Sequence, residues 1–191
     1  MGYITSRNID LTGNRSGVIR CAERGDAQSF VDIMRAVASE GPYTLAEADE
    51  VDWTVEGKQR EIQEHREEPG YLALVAQVQQ AVVGFLEFEN GSRRRTHHAG
   101  MFSIFIRREW RGCGLGTSLI EQLLEWSIAS PLIEKVTLAA FSTNERAIAL
   151  YTRLGFQVEG RCPADMKIGN RYIDSVLMYR FVKPVTVATN V

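Results

Sequence analysis

Residues 107–120 read RREWRGCGLGTSLI and place three glycines, Gly112, Gly114 and Gly116, after an apolar run that ends at Ile106. Apolar residues then recur at helical spacing, at Leu119, Ile120, Leu123 and Leu124. The stretch predicts a strand, a tight turn and a helix N-terminus. Such a terminus presents unpaired N–H groups and positive dipole character, and glycines let the backbone approach an anion closely. We interpret the turn as an anion cradle.

The glycine spacing excludes two common nucleotide motifs. A dinucleotide fingerprint that starts at Gly112 and Gly114 needs a third glycine at position 117, where the chain has Thr117. A P-loop needs Gly-Lys-Ser/Thr, which does not follow. A turn whose glycines serve only steric needs remains the alternative, so the neighbouring sequence has to decide.

Composition bounds the class of protein. The chain has 191 residues, 45% of them hydrophobic, which suits one globular domain with a sizeable core. Its 22 basic and 24 acidic residues give a net charge of −2, so neither nucleic acid nor an anionic membrane is an expected partner.

The cysteines and the termini favour a reduced compartment. Cys21, Cys113 and Cys162 form no CxxC pair, so we expect free thiols and no metal site. The N-terminus lacks a signal-peptide pattern, and no apolar run is long enough for a membrane span. We therefore expect a cytoplasmic protein.

The hydrophobic pattern predicts a mixed α/β order of elements. We expect strands at 18–21, 71–78, 81–89, 98–106, 135–141, 156–158 and 172–182. We expect helices from an N-cap at Asp26 to Gly41, over 45–68, over 115–129, and from a Ser142/Glu145 capping box to Gly155. Antiparallel hairpins and one βαβ crossover near the C-terminal half follow from this order.

Two motifs in order make the chain resemble the GNAT superfamily of acetyl-CoA-dependent N-acetyltransferases, in particular its small bacterial branch. Arg111, Gly114 and Gly116 match the family's Arg/Gln-x-x-Gly-x-Gly/Ala pyrophosphate loop. Within FSTNERAIALYTRLGFQVEG (141–160), Asn144, Ala147, Tyr151, Gly155 and Phe156 match the segment N-x-x-A-x-x-x-Y-x-x-x-G-F. The resemblance covers roughly residues 18–182 of a single domain, 1–191.

The resemblance implies a GNAT fold: a mixed, mostly antiparallel central sheet flanked by helices, with a splayed central strand pair. It also implies acetyl-CoA as co-substrate, with its pyrophosphate on the glycine turn and its pantetheine arm along the preceding strand. The implied cofactor-binding residues are Ile104, Phe105, Ile106, Arg111, Gly112, Cys113, Gly114, Leu115, Gly116, Thr117 and Asn144. The strand side chains are expected to belong to the core, and Cys113 is expected to be a spectator.

Acyl transfer from a thioester to an amine needs a neutral amine, a stabilised oxyanion and a protonated leaving thiolate. The resemblance gives Tyr151 the role of general acid toward sulfur. A half-buried aromatic that only packs on the sheet is the other interpretation of Tyr151.

The general base is left open by the sequence. Glu87, Glu89, His97 and His98 all fall on the predicted central strands, and a carboxylate or an imidazole can take the amine proton. His98, eight residues before Ile106, resembles a recurring position of this branch, so we place it first and Glu87 second. A strand histidine more often satisfies a local hydrogen bond, so this order is a hypothesis.

The expected function is acetyl transfer to a primary amine of a small molecule, either an amino acid or a polyamine-like compound. The acidic stretch at 45–68 favours a cationic amine, whereas Arg93, Arg94 and Arg95 favour an acceptor carboxylate, and the sequence does not choose. The alternatives are N-terminal or lysine acetylation of a protein or peptide, and a CoA-binding sensor without turnover. Small domains of this family often form homodimers, but the sequence leaves the oligomeric state open.

Overall fold

A computed structural model describes residues 3–47, 49–50 and 53–186. The strands are β1 (Arg7–Leu11), β2 (Arg15–Cys21), β3 (Leu72–Val78), β4 (Ala81–Asn90), β5 (Ala99–Ile106), β6 (Lys135–Phe141), β7 (Gln157–Ile168) and β8 (Arg171–Phe181). The helices are α1 (Ala27–Glu40), α2 (Val55–Glu67), α3 (Leu115–Ala129) and α4 (Glu145–Arg153).

The strands form one eight-stranded sheet in the order β1-β2-β3-β4-β5-β6-β8-β7. All neighbours are antiparallel except β5 and β6, which are parallel and are joined by α3 in a crossover. This mixed, mostly antiparallel sheet with flanking helices confirms the expected fold class. The predicted single βαβ crossover is an undercount, because β6 and β7 are both antiparallel to β8, are therefore parallel to each other, and are joined by α4 in a second crossover.

Each face of the sheet carries its own core, because side chains alternate along a strand. On β4, Phe85 packs with Phe30 of α1 and Ile62 of α2 in one buried cluster. The next residue, Leu86, belongs to the cluster that contains residues of α3 and α4. The two helix pairs therefore cover opposite faces of a shared sheet.

The central pair β5 and β6 is splayed. The two strands pair only from Ala99↔Lys135 to Met101↔Thr137, although both continue beyond those residues. On its other edge, β5 stays paired with β4 up to Ile106. One edge of residues 102–106 therefore opens toward the gap between the diverging strands.

The N-terminal part differs from the sequence prediction. The strand predicted at 18–21 is the end of β2, which forms a hairpin with β1, and the pattern analysis missed the rest of this hairpin, from Arg7 onward. Asp26 is the N-cap residue of α1, as predicted, but its side chain makes no capping hydrogen bond. Its carboxylate accepts instead from Arg20 Nη1 and Nη2, at 2.7 and 2.8 Å. This ion pair joins β2 to the start of the helix.

The predicted helix over 45–68 is shorter than expected. α2 starts at Val55, because the Thr54 side chain accepts from Gly57 N at 3.1 Å and caps the helix there. The described residues between 45 and 54 form turns and irregular structure, and positions 48, 51 and 52 of that prediction lie outside the described residues.

Two predictions near the C-terminus are also wrong. Asn144, rather than a Ser142/Glu145 capping box, caps α4, and its side chain accepts from Ala147 N at 3.3 Å. The strand predicted at 156–158 is the twelve-residue β7. Two register shifts, at Val158/Gly160 and Cys162/Met166, break the period of two that would have revealed its length.

Candidate active site

The glycine turn and the start of α3 form a cradle of backbone donors. Gly112 and Gly114 adopt φ of 82° and 99°, a conformation that costs little only for glycine, and Gly114 is the N-cap of α3. Ser118 N is the first helical donor, bonding to Gly114 O at 3.1 Å. Helix geometry therefore leaves the N–H groups of residues 115–117 facing outward at the positive end of the dipole.

Two residues of the cradle contribute backbone only. Cys113 and Leu115 are buried, and the Cys113 thiol donates to Trp110 O at 3.0 Å. Thr12 N, in the β1–β2 turn, donates to Cys113 O at 3.1 Å, and this hydrogen bond ties the glycine turn to the β1–β2 hairpin. Gly116 and Thr117 lie half-buried in the first turn of α3.

Two arginines flank the cradle differently. Arg111 Nε donates to Ile106 O at 2.8 Å, and its Nη1 lies 2.5 Å from Oε2 of Glu40, at the end of α1. Arg146, in the first turn of α4, places Nη2 2.7 Å from where a β-carbon on Gly112 would be. Sequence analysis did not single out Arg146 or Glu40. For Arg146, the available signal was its position two residues after Asn144.

The strand residues predicted beside the cofactor lie along the splayed edge. Ile104 and Ile106 pack against the core on the α3 side, whereas Phe105 packs against the core under α1. Phe105 also stacks on Phe85 with ring centroids 5.1 Å apart. Their side chains thus belong to the cores, and their backbone lines the opening.

Tyr151 approaches the splayed pair from the α4 face. The residue is 8% exposed, and its ring packs edge-on against Phe102, centroids 5.9 Å apart, and against Phe156 at 6.1 Å. Phe102 directly follows the last paired residue of β5, so Tyr151 stands at the point where the strands part. Burial raises the pKa of its phenol to about 12, so the group is a protonated donor.

Glu87 approaches the same point from the other face. It pairs with Ser103 across β4 and β5, two residues beyond the last β5–β6 pair, on the side that α2 covers. Burial raises the pKa of Glu87, and the nearby Lys58 ammonium opposes that increase. A carboxylate and a phenol therefore flank the opening from opposite sides of the sheet.

The predicted positions of His97 and His98 on a strand are wrong, because β5 begins at Ala99. Both histidines lie in the preceding turn, and the exposed His98 uses its carbonyl to accept from Glu134 N and Lys135 N. His98 is five residues before Ser103, or about 16 Å along an extended strand, at the closed end of the splayed pair. The structure therefore does not bring His98 together with Glu87 and Tyr151.

Glu87 has charged neighbours that sequence analysis did not single out. Lys58 Nζ lies 3.4 Å from both carboxylate oxygens of Glu87 and also bonds Glu61. His65 places Nδ1 2.7 Å from Glu61 O and Nε2 3.2 Å from Glu89 Oε1. Lys58 was visible only as one of the few basic residues in an acidic stretch.

Arg93, Arg94 and Arg95 are exposed in the loop after β4, toward the closed end of the splayed pair. Within residues 3–47, 49–50 and 53–186, no group of three or more His, Cys, Asp or Glu side chains is placed to hold a metal ion. None of the helices in these ranges has the length and apolar character needed to cross a membrane.

The site thus combines a glycine turn at a helix N-terminus with a splayed strand pair. The family described as "Acetyltransferase (GNAT) family" matches residues 36–156. The chain therefore belongs to the acetyltransferase (GNAT) family and is an acyltransferase enzyme.

Two named relatives each match more than half of the chain. The L-amino acid N-acetyltransferase AaaT of Escherichia coli K12 is 29% identical over 112 residues, 59% of this chain and 69% of the relative. The L-methionine sulfoximine/L-methionine sulfone acetyltransferase of Pseudomonas aeruginosa PAO1 is 32% identical over 125 residues, 62% of this chain and 70% of the relative.

Solved structures agree in fold. An acetyltransferase of the GNAT family from Streptococcus pneumoniae superposes with a TM-score of 0.82 at 27% identity, over 86% of this chain and 98% of that one. YncA of Salmonella typhimurium, a putative acetyltransferase solved with acetyl-CoA as its cofactor, superposes with a TM-score of 0.80 at 19% identity, over 95% and 99%.

Proposed function

We propose that this enzyme transfers the acetyl group of acetyl-CoA directly to the primary amine of a small molecule. The observation that carries the proposal is the placement of Glu87 and Tyr151 on opposite faces of the sheet, at the point where β5 and β6 part. An amine that enters from one face and a thioester that lies along the gap would meet between them.

The residues of the cradle suit a pyrophosphate. The N–H groups of residues 112–117 offer neutral donors at a helix N-terminus, and the Arg146 guanidinium adds a cation above Gly112. The edge of residues 104–106 that β6 leaves unpaired offers backbone groups to the amides of a pantetheine arm, with Ile106 O already accepting from Arg111 Nε. When bound there, acetyl-CoA supplies an activated acetyl group and a thiolate leaving group.

Glu87 is the proposed general base. In its ionised form it takes a proton from the acceptor ammonium, directly or through one water, and leaves a neutral amine able to form the new N–C bond. The shifted pKa of Glu87 brings it closer to the operating range of such a base. We prefer Glu87 to His98, because His98 lies at the closed end of the strand pair.

Tyr151 is the proposed general acid. Its phenol donates a proton to sulfur as the C–S bond breaks, so that the leaving group departs as a thiol. Asn144 supports this role indirectly, because it caps the helix that carries Tyr151. Starting from the ammonium, one N–C bond forms, one C–S bond breaks, and two protons leave nitrogen. The first passes through Glu87 to solvent, and the second leaves the nitrogen of the tetrahedral intermediate and replaces the proton that Tyr151 gave to sulfur.

We propose an amino acid as the acceptor class, ahead of a polyamine. The names of the two relatives, an L-amino acid N-acetyltransferase and an L-methionine sulfoximine/sulfone acetyltransferase, support this choice. The acidic surroundings of the acceptor side, with Glu61 and Glu89 near Glu87, suit the ammonium group that both classes carry. An acceptor carboxylate would need a cation, for which the arginines at 93–95 stay a prediction.

The test is release of CoA thiol in the presence of acetyl-CoA and a panel of amino acids, polyamines and N-terminal or lysine peptides. We expect turnover with at least one free amino acid, and loss of that turnover in Glu87→Gln and Tyr151→Phe. Turnover confined to peptides would replace the small-molecule acceptor with a protein. Binding of acetyl-CoA without turnover on any amine would indicate a CoA-binding sensor and overturn the proposal.

A further inference from the structure

Lys58 is a buried cation that the proposed chemistry does not use. It lies in the first turn of α2 and is only 6% exposed. Its Nζ lies 3.4 Å from both carboxylate oxygens of Glu87, bonds the Glu61 carboxylate, and sits 5.7 Å from the centroid of the Phe30 ring. A lysine is almost never buried this far without a charged partner.

The surroundings of Glu87 leave Lys58 as its principal cation. From α2, Lys58, Glu61 and His65 act on Glu87, whereas α1 presents the Phe30 ring. The neighbouring strands place uncharged residues beside it, Ala73 on β3 and Ser103 on β5. On β4 itself, Glu89 lies two residues further on, with its Oε1 3.2 Å from His65 Nε2.

The charge balance gives Lys58 a direction of effect. Burial alone favours the neutral acid, and it raises the pKa of Glu87, while Lys58 lowers that pKa by charge and hydrogen bond. In return, Glu87 and Glu61 outweigh burial and raise the pKa of Lys58, so the lysine stays charged at neutral pH. A Glu87 without this partner would be neutral over a wider range of pH and unable to accept a proton.

We propose that Lys58 is a positioning residue for the acetyl transfer, which holds the Glu87 carboxylate in its charged form and fixed toward the gap between β5 and β6. The inference rests on the proposed function, since it assumes that Glu87 is the base. Through Lys58, α2 then sets the lower end of the pH range in which the enzyme works. A purely structural Lys58 would instead only tie α2 to the sheet.

The experiment compares Lys58→Met with Lys58→Arg, and Arg60→Met serves as the matched control, since Arg60 is an exposed cation on the same helix. The readouts are the pH profile of kcat/KM with the best amino acid and the Kd of acetyl-CoA by calorimetry. In Lys58→Met, we expect the acid limb to move up by about one pH unit or more, the usual effect of losing a close opposite charge. At a fixed pH on that limb, moving it up by about one pH unit lowers kcat/KM about tenfold.

The other variants should behave differently. The acid limb of Lys58→Arg should lie within a few tenths of a pH unit of the parent's limb, and that of Arg60→Met should coincide with it. The Kd of acetyl-CoA should stay within about twofold of the parent's value in every variant. An acid limb of Lys58→Met that coincides with the parent's, while Glu87→Gln abolishes the limb, would overturn the role of Lys58 and leave the proposed function standing. A limb that persists in Glu87→Gln would instead remove Glu87 as the base.

Glu61→Gln keeps the inference testable if Lys58→Met does not fold. The Glu61 side chain is 53% exposed, so its replacement should be tolerated. Glu61 raises the pKa of Glu87 and shares Lys58 with it, so its loss should move the acid limb to lower pH, opposite to Lys58→Met. A shift in the same upward direction would contradict the proposed charge balance.

Discussion

Tyr151 is a buried and Glu87 a half-buried ionisable residue, and desolvation acts on each in the direction that its proposed role requires. Desolvation disfavours the charged form of both side chains. For the phenol, it secures the proton that an acid must donate, with a pKa of about 12. For the carboxylate, it moves the pKa of Glu87 upward, and Lys58 limits the increase.

Removal of the Tyr151 hydroxyl should separate binding from turnover. Tyr151→Phe keeps the ring that packs on Phe102 and Phe156, so the fold and the Kd of acetyl-CoA should change little. The rate should fall by roughly 10²- to 10⁴-fold, the range for a lost general acid. Steady-state assays and calorimetry measure the two effects, and a rate within about threefold of the parent would make Tyr151 a packing residue.

The pKa of Tyr151 also makes a prediction for alkaline solution. Because the phenol keeps its proton until the pH approaches about 12, its ionisation should not reduce kcat at pH 8–10. In the parent enzyme, kcat should therefore not fall between pH 8 and 10 through ionisation of Tyr151. A loss of kcat between pH 8 and 10 that disappears in Tyr151→Phe would contradict the burial argument.

At the level of elements, the cradle joins a strand end to a helix start, and its conformation depends on Gly114. Among the described residues other than its chain neighbours and the backbone of its own helix, none places an atom within 4 Å of where a β-carbon on Gly114 would be. Its φ of 99°, rather than a lack of space, is therefore what demands glycine. The open space is where an anion would meet the first turn of α3.

Gly114→Asp should abolish cofactor binding, and Gly114→Ala is the matched control. Both variants carry the strain of a left-handed residue, about 1–2 kcal/mol, which aspartate tolerates better than most residues. Only the aspartate adds a negative charge at the helix N-terminus, in repulsion with a pyrophosphate. Calorimetry should find acetyl-CoA binding lost in the aspartate variant and weakened far less in the alanine variant; equal affinities would place the phosphate site elsewhere.

The N-cap of α4 gives a second prediction for an element. Asn144→Ala removes the side chain that accepts from Ala147 N and should lower the free energy of unfolding by about 1 kcal/mol. Ser142→Ala, a change at the other predicted capping residue, should have little effect. Urea unfolding of both variants checks this, and a larger loss in Ser142→Ala would restore the capping box.

At the scale of the whole molecule, two cores share one sheet, and β3 and β4 contribute residues to both. The pair α1 and α2 and the pair α3 and α4 both pack on this same sheet. We therefore propose that the chain is a single acetyltransferase domain, because either core should be lost when the shared strands separate.

The unfolding transition tests this proposal. Far-ultraviolet circular dichroism and tryptophan fluorescence should follow one coincident transition in urea. Saturating acetyl-CoA, at about 100 times its Kd, should add about 2.7 kcal/mol of stability and shift both probes together. Two separate midpoints, with only one of them responding to acetyl-CoA, would divide the chain into independent units.

Much of the fold could be predicted from local patterns. The glycine turn, α3, the antiparallel strands β3 to β5 and the crossover to β6 each have a periodicity or a turn signal within a short window. The local patterns misled at two places near the C-terminus. The cap of α4 is Asn144 rather than Ser142, and bulges obscure the alternation of β7.

The sequence by itself determined the family, the glycine turn and the place of Tyr151 on its helix, because these depend on residues of fixed spacing along one turn and one helix. Only the tertiary structure decided the surroundings of the proposed base. Lys58 and Glu87 are 29 residues apart in the chain, and their contact exists because α2 packs across β4. An alternating pattern places Glu87 on one face of the sheet. The cation beside it follows from how α2 packs on the sheet, and its distance from His98 follows from where β5 and β6 part.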